Sequence, residues 1–179
     1  MFSRKEALKK YGSDYKIKKE VENGKLFMLD KGVYSLEKDV PAMAVYTFRY
    51  PNAIVTMESA FYYYGLTDVI PDECSLATKH NSPPIKDKKV KQYYVDMDFF
   101  SMGVIEKNYH GYPIRIYSLE RMLIELVRYK AKLPLSYYKE IILNFREMAG
   151  KLDMQEIQDL AMAAPKCEKI MDIIQMEVL

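Results

Sequence analysis

Two short helical segments meet at Gly12, a β-prone pair of segments closes through Asp30-Lys31-Gly32, and helical periodicity is sustained from Ser118 onward. Together they predict an α+β fold. The expected order is an N-terminal winged helix-turn-helix over residues 1–40, then a mixed α/β domain over residues 41–179 that finishes in a helical tail. The composition suits folded units. Of 179 residues, 49% are hydrophobic and 29% charged, which supplies a core and excludes a disordered chain. Only Cys74 and Cys167 are present, far apart in sequence, so a disulfide scaffold is excluded. No apolar run approaches a membrane span, and the start MFSRKEALKKYG carries no apolar stretch of signal-peptide length. A cytoplasmic location with reduced thiols and no membrane partner is therefore expected.

Each element has a local cause. Ser3-Arg4-Lys5-Glu6 fits a capping box, in which the Ser hydroxyl and the Glu carboxylate satisfy each other's backbone N–H. Ala7, Leu8 and Tyr11 follow at helical spacing, and Gly12 ends that helix. Ser13 or Asp14 caps a second helix through Glu22, stopped by Asn23-Gly24; Ile17 and Val21 form its inner face. Lys25–Leu29 and Val33–Leu36 read as a hairpin, with Gly32 supplying a positive φ. Two helices across a tight turn, followed by a hairpin, are the parts of a winged helix-turn-helix.

Pro41 opens a helical stretch to about Tyr50, and Pro51-Asn52 is a turn. Ala53-Ile54-Val55 is a strand end feeding a helix from Thr56 to Tyr64, closed by Gly65. Cys74–Thr78 is strand-like, Pro83-Pro84 forbids regular structure, and Val90–Phe100 is β-prone. Val104–Glu106 and Ile114–Tyr117 are a strand pair around His110-Gly111. Leu119, Met122, Leu123, Leu126 and Val127 then make the clearest amphipathic helix. Further helices contain Leu135–Met148, a segment capped by Asp153, and Ile170–Ile174 beyond Pro165.

The net charge of +2 conceals a gradient. Residues 1–40 carry +3, residues 41–149 carry +2 and residues 150–179 carry −3; the first 25 residues alone carry +4. A second basic cluster is Lys79, Lys86, Lys88, Lys89 and Lys91, opposed by Asp87. A basic head with an acidic tail points to an anionic partner at the head. On the second helix Tyr15, Lys16, Lys18 and Lys19 are left facing outward, and Lys25 and Lys31 flank the hairpin. Set against a major groove, this face would put Lys on phosphates and Tyr on phosphate or base. The alternative reading of the same residues is a solvated helix face. The helix lacks Arg and Asn, the usual bidentate base readers, so phosphate binding is better founded than sequence readout.

Other constellations carry less. His80 and His110 are the only histidines, and no His or Cys pair has zinc spacing, so no metal or cofactor is implied. Asp96-Met97-Asp98 on a strand would aim two carboxylates to one face, as metal-dependent nucleotidyl transfer requires, but Gly12-Ser13, which would complete such a signature just upstream, is more than eighty residues away. Pro71-Asp72 followed by Asp87-Lys88-Lys89 loosely fits a metal-dependent nuclease, in which two acids hold a metal and Lys aids the attacking water. Acid pairs of this kind are more often solvated surface, and no catalytic residue is assigned. Glu120 suits a helix first turn, and Arg121 is placed to pair with a carboxylate beneath it, a structural role.

Three segments in register resemble one family. They are Leu26–Tyr34; Tyr50–Ala60 with Tyr64-Gly65-Leu66-Thr67; and Ile116–Glu125 with its Ser118-Leu119-Glu120-Arg121 helix start. Their order and spacing resemble the AbiEi-type antitoxins of bacterial type IV toxin–antitoxin and abortive-infection systems, over about residues 3–150. Three features depart from that pattern. Members usually carry one more helix ahead of the helix-turn-helix, for which Ser3 leaves no room; Asp30-Lys31 stands where two basic residues are typical; and Glu125 replaces an Asp. The resemblance implies a DNA-binding winged helix and an α/β antitoxin domain. It further implies repression of the protein's own operon, and neutralisation of a nucleotidyltransferase-like toxin in phage defence. The partners so expected are operator DNA and the cognate toxin. Modest affinity per monomer suggests a homodimer on DNA. Two alternatives remain: a protein-interaction module without DNA binding, and a metal-dependent nuclease.

Overall fold

A computed structural model describes residues 1–178, a mixed α/β chain that divides into two compact units. The first comprises Met1–Pro51 with Asn108–Ile114, and the second Asn52–Lys107 with Arg115 onward. The first unit thus runs past the boundary expected at residue 40 and takes in the next helix.

The first unit begins with β1 (Phe2–Ser3), α1 (Arg4–Tyr11) and α2 (Asp14–Glu22). The capping box forms: Ser3 Oγ accepts from the Glu6 N–H at 3.3 Å, and the Glu6 carboxylate accepts from the Ser3 N–H at 2.7 Å. That backbone hydrogen bond holds Glu6 below the usual carboxylate range. Gly12 takes φ +86°, where a Cβ would be strained, and its N–H donates to the Leu8 carbonyl. Ser13, of the two candidate caps, accepts from the Lys16 N–H at 3.3 Å. β2 (Phe27–Asp30) and β3 (Val33–Ser35) form the hairpin, with a register irregularity between Met28 and Asp30. β1 pairs antiparallel with β3, Phe2 opposite Tyr34, giving the order β1-β3-β2. Ala7, Ile17, Leu26 and Tyr34 form the core of this unit, with Phe2, Leu8, Tyr11 and Val21 packed on it. Each of these elements is amphipathic and too short to be stable alone, so this shared core holds all of them. α3 (Ala42–Arg49) follows.

The second unit is built on a five-stranded sheet of order β6-β5-β4-β8-β7. Its elements are β4 (Ile54–Val55), α4 (Met57–Tyr63), β5 (Cys74–Lys79), β6 (Val90–Val95), α5 (Met97–Phe100), β7 (Val104–Tyr109) and β8 (Tyr112–Tyr117). α6 (Leu119–Tyr129), α7 (Leu135–Met148), α8 (Met154–Ala163) and α9 (Cys167–Glu177) complete it. β4 pairs antiparallel with β5 and parallel with β8, and β5 pairs parallel with β6. The β7–β8 turn is His110-Gly111, both at positive φ, the conformation a two-residue hairpin turn demands. The tip of that hairpin, residues 108–114, belongs to the first unit, where Tyr112 donates to Glu37.

α4 lies against β5 and α6, and α6 against α8 and α9. Ile54, Leu76, Phe61, Met122, Leu123, Leu126, Phe145 and Ile157 are fully buried there. Burying each such side chain contributes about 1.5–3 kcal/mol.

One sequence expectation fails. The β-prone run to Phe100 ends at Val95, and Asp96 begins a single helical turn in which the Phe99 and Phe100 N–H groups donate to its carbonyl. Phe99 and Phe100 are both buried in that turn. Asp96 and Asp98 are exposed and do not share a strand face.

Candidate nucleic-acid interface

α2 carries four of the expected contact residues because Ile17 and Val21 turn its other face into the core. Tyr15, Lys16, Lys18 and Lys19 are all exposed, Tyr15 to 75%. Tyr15 and Lys19 are one turn apart, and Lys16 and Lys19 three residues apart, so all three share one flank. Lys18 leans to the other flank, with its Nζ 3.8 Å from Glu22. Lys25 is exposed just ahead of Leu26, whose complete burial anchors the chain there. Lys31 is exposed at the hairpin turn.

Asp30, the acid that departs from the family pattern, is not a free charge at the tip. Its Oδ2 lies 2.5 Å from Arg49 of α3 and its Oδ1 accepts from the Lys31 N–H at 2.6 Å. Its negative charge is thereby largely offset, and Lys31 keeps its own. The Arg49 partner lies nineteen residues away and has no signal in the local sequence. At the start of α2, Asp14 pairs with Arg4 at 2.9 Å, which raises the Arg4 pKa through that hydrogen bond.

The second unit holds two polar clusters. Glu58 accepts from Ser75 Oγ at 2.8 Å, Lys91 Nζ at 2.6 Å and Tyr93 Oη at 2.7 Å. Burial works to raise its pKa, but these three donors prevail and hold it below the usual carboxylate range. Burial raises the Tyr93 pKa, and its bond to Glu58 adds to the shift. These four residues come from α4, β5 and β6, and their sequence separations conceal the cluster.

The other cluster confirms the structural role expected of Arg121. Its guanidinium is fully buried, lies 2.7 Å from Glu125, and donates to the Phe99 and Met102 carbonyls at 2.7 and 2.8 Å. It also stacks over Phe99 and Tyr117. Burial lowers its pKa, and Glu125 opposes that shift. Glu120 accepts from the Asp153 N–H at 3.1 Å, also a structural contact.

Of the remaining candidates, Asp72 is exposed, and Asp87 accepts from the Lys89 N–H at 3.0 Å as a turn contact. Of the second basic cluster, Lys91 is committed to Glu58. His80 and His110 are exposed loop residues. Among the described residues no group of three or more His, Cys, Asp or Glu side chains is gathered as a metal ion would require. Cys74 is buried, and that burial pushes its thiol up to about 12. Among the described residues no helix is long and apolar enough to cross a membrane. No family model matches the chain, and no curated protein matches it.

Proposed function

We propose that the first unit is a winged helix that binds DNA, and that the chain is an operator-binding antitoxin of a type IV, abortive-infection operon. In this reading it represses its own operon and counteracts a nucleotidyltransferase-like toxin. The observation that carries the DNA-binding part is the joint placement of the six expected residues. Tyr15, Lys16, Lys18 and Lys19 are exposed on α2, and Lys25 and Lys31 are exposed in the connections on either side of β2, around elements whose inner faces build a single core. Such a core presents the basic face as a preformed surface, so binding orders little beyond side chains. Lys on phosphates supplies most of the affinity, and counterion release makes it salt-dependent. Tyr15 adds an aromatic hydroxyl suited to a phosphate or a base. The antitoxin part rests on the family resemblance of the three segments.

The test is a mobility shift on the protein's own promoter. Binding is expected at low salt, with Lys16→Ala, Lys19→Ala and Lys25→Ala each reducing the log–log salt slope by about 1. Absence of any shift at low salt would sink the proposal. A second reading, a protein-interaction module, is favoured by exposed apolar side chains on the same unit: Met28 at 60% and Leu36 at 53%. Binding of a partner protein, unaffected by the Lys changes and accompanied by no DNA shift, would select it.

A further inference from the structure

In the second unit, the end of α6, the start of α7 and the start of α9 enclose an open groove of about 660 Å³. Its lining is aliphatic, with Val127, Ala131, Leu135, Ile170 and Ile173 contributing, and Leu135 is 63% exposed. The same lining carries four cations: Arg128, Lys130, Lys166 and Lys169. Arg128 is paired with Glu125, and Lys130 with Glu177. Among the described residues, Lys166 and Lys169 meet no carboxylate within salt-bridge distance.

This concentration of positive charge stands in the part of the chain that is acidic overall, at −3 over residues 150–179. The first two turns of α9 sort their charges by face, whereas Glu177 at its end returns to the lysine side and pairs with Lys130. At 100° per residue, Lys166, Lys169, Ile170 and Ile173 fall on one side, and Glu168 and Asp172 on the other. Neither acid lines the groove. Lys166 also holds a left-handed conformation, φ 65° and ψ 42°, unusual for a residue other than glycine.

We propose that this groove docks an amphipathic helix of an acidic partner protein. Aliphatic side chains at i, i+3, i+4 and i+7 would fill the lining, and flanking Asp or Glu would meet Lys166 and Lys169. A nucleic acid fits less well. The cations could meet phosphates, but no aromatic side chain lines the groove to stack a base, and a nucleic acid would leave the aliphatic lining unused. The site is separate from the DNA-binding face and does not rest on that reading.

The experiment uses the full chain and a fluorescein-labelled synthetic peptide of about four helical turns, with Leu at i, i+3, i+4 and i+7 and Glu on the flanks. Saturable binding in the micromolar range, weakened by salt, is expected by fluorescence anisotropy. Lys166→Glu with Lys169→Glu should weaken it about tenfold or more, with the thermal unfolding midpoint unchanged. Leu135→Ser, at an exposed position, should weaken it severalfold. Lys16→Ala, Lys19→Ala and Lys25→Ala together should leave peptide affinity unchanged while weakening DNA binding, so failures of the two proposals are distinguishable. Three results would overturn this one: no binding, equal binding of a peptide with Lys in place of Glu, or displacement of the peptide by an oligonucleotide.

Discussion

In the first unit Arg4 meets Asp14 in the open, both side chains 62% exposed; in the second Arg121 meets Glu125 with side chains 0% and 3% exposed. The chemistry of the two pairs is the same, yet the environments separate their consequences. In water the exposed pair gains little, because solvent screens the charges and the side chains lose freedom. Inside the second unit both ions have lost their hydration, and the pair is supported by the Phe99 and Met102 carbonyls, two aromatic rings and Arg128 beside Glu125. The first unit therefore relies on caps, a small apolar core and the partly buried Asp30–Arg49 pair, with the lysines of α2 left outside, where DNA phosphates are proposed to meet them. The second has placed charge within its core and depends on it.

The sharpest way to break this comparison is Arg121→Ala. It leaves Glu125 with Arg128 as its remaining cation and strands two carbonyls in the interior, and a loss of about 3 kcal/mol is expected in urea unfolding. Arg121→Met with Glu125→Met should recover part of that loss, since both core charges are then gone while Arg128 loses its partner nearer the surface. Next is Gly103→Ala. Gly103 sits at φ +68°, and a Cβ there would come 2.7 Å from Arg121 Cβ, so a loss of about 2 kcal/mol or more is expected in the same assay.

Glu58→Gln weakens the hydrogen bonds from Ser75 and Tyr93 and the pairing with Lys91, and should cost about 1.5 kcal/mol at neutral pH. Its pH dependence has a definite sign. The folded-state pKa of Glu58 is depressed, so its stabilisation is present above the ordinary carboxylate value and disappears as pH falls through the folded value. The gap between parent and variant should therefore close on acidification below about pH 4. In the first unit Ser3→Ala removes the capping hydroxyl, with an expected cost of about 1 kcal/mol and fraying at α1 seen by hydrogen exchange. The smallest effect belongs to Arg4→Ala, for which no change in the thermal midpoint is expected at physiological salt. A large change there would erase the contrast between the two pairs.

Legibility in the sequence followed the range of the interactions. While the cap of α2 is narrowed to Ser13 or Asp14, the capping box at Ser3, the stop at Gly12 and the hairpin turn at Gly32 are each made within three or four residues and are readable one by one. So is the outward face of α2, since Ile17 and Val21 define the opposite one. β1 was hidden because two residues beside a helix cap carry no period. α5 was hidden because its composition is β-prone, and burial of both Phe99 and Phe100 overrode that preference.

The sequence by itself determined the helices other than α5, the capping box at Ser3, the hairpin turns, and the basic head with its acidic tail, because these follow from backbone chemistry and side-chain spacing along the chain. Only the tertiary structure decided that Asp30 is held by Arg49, that Glu58 gathers Ser75, Lys91 and Tyr93, and that residues 108–114 join the first unit. It alone also set the cations of the α6–α7–α9 groove around an aliphatic lining. These arrangements depend on which distant segments share a core, and burial is settled by the whole chain at once, leaving no periodic trace in any one stretch of it.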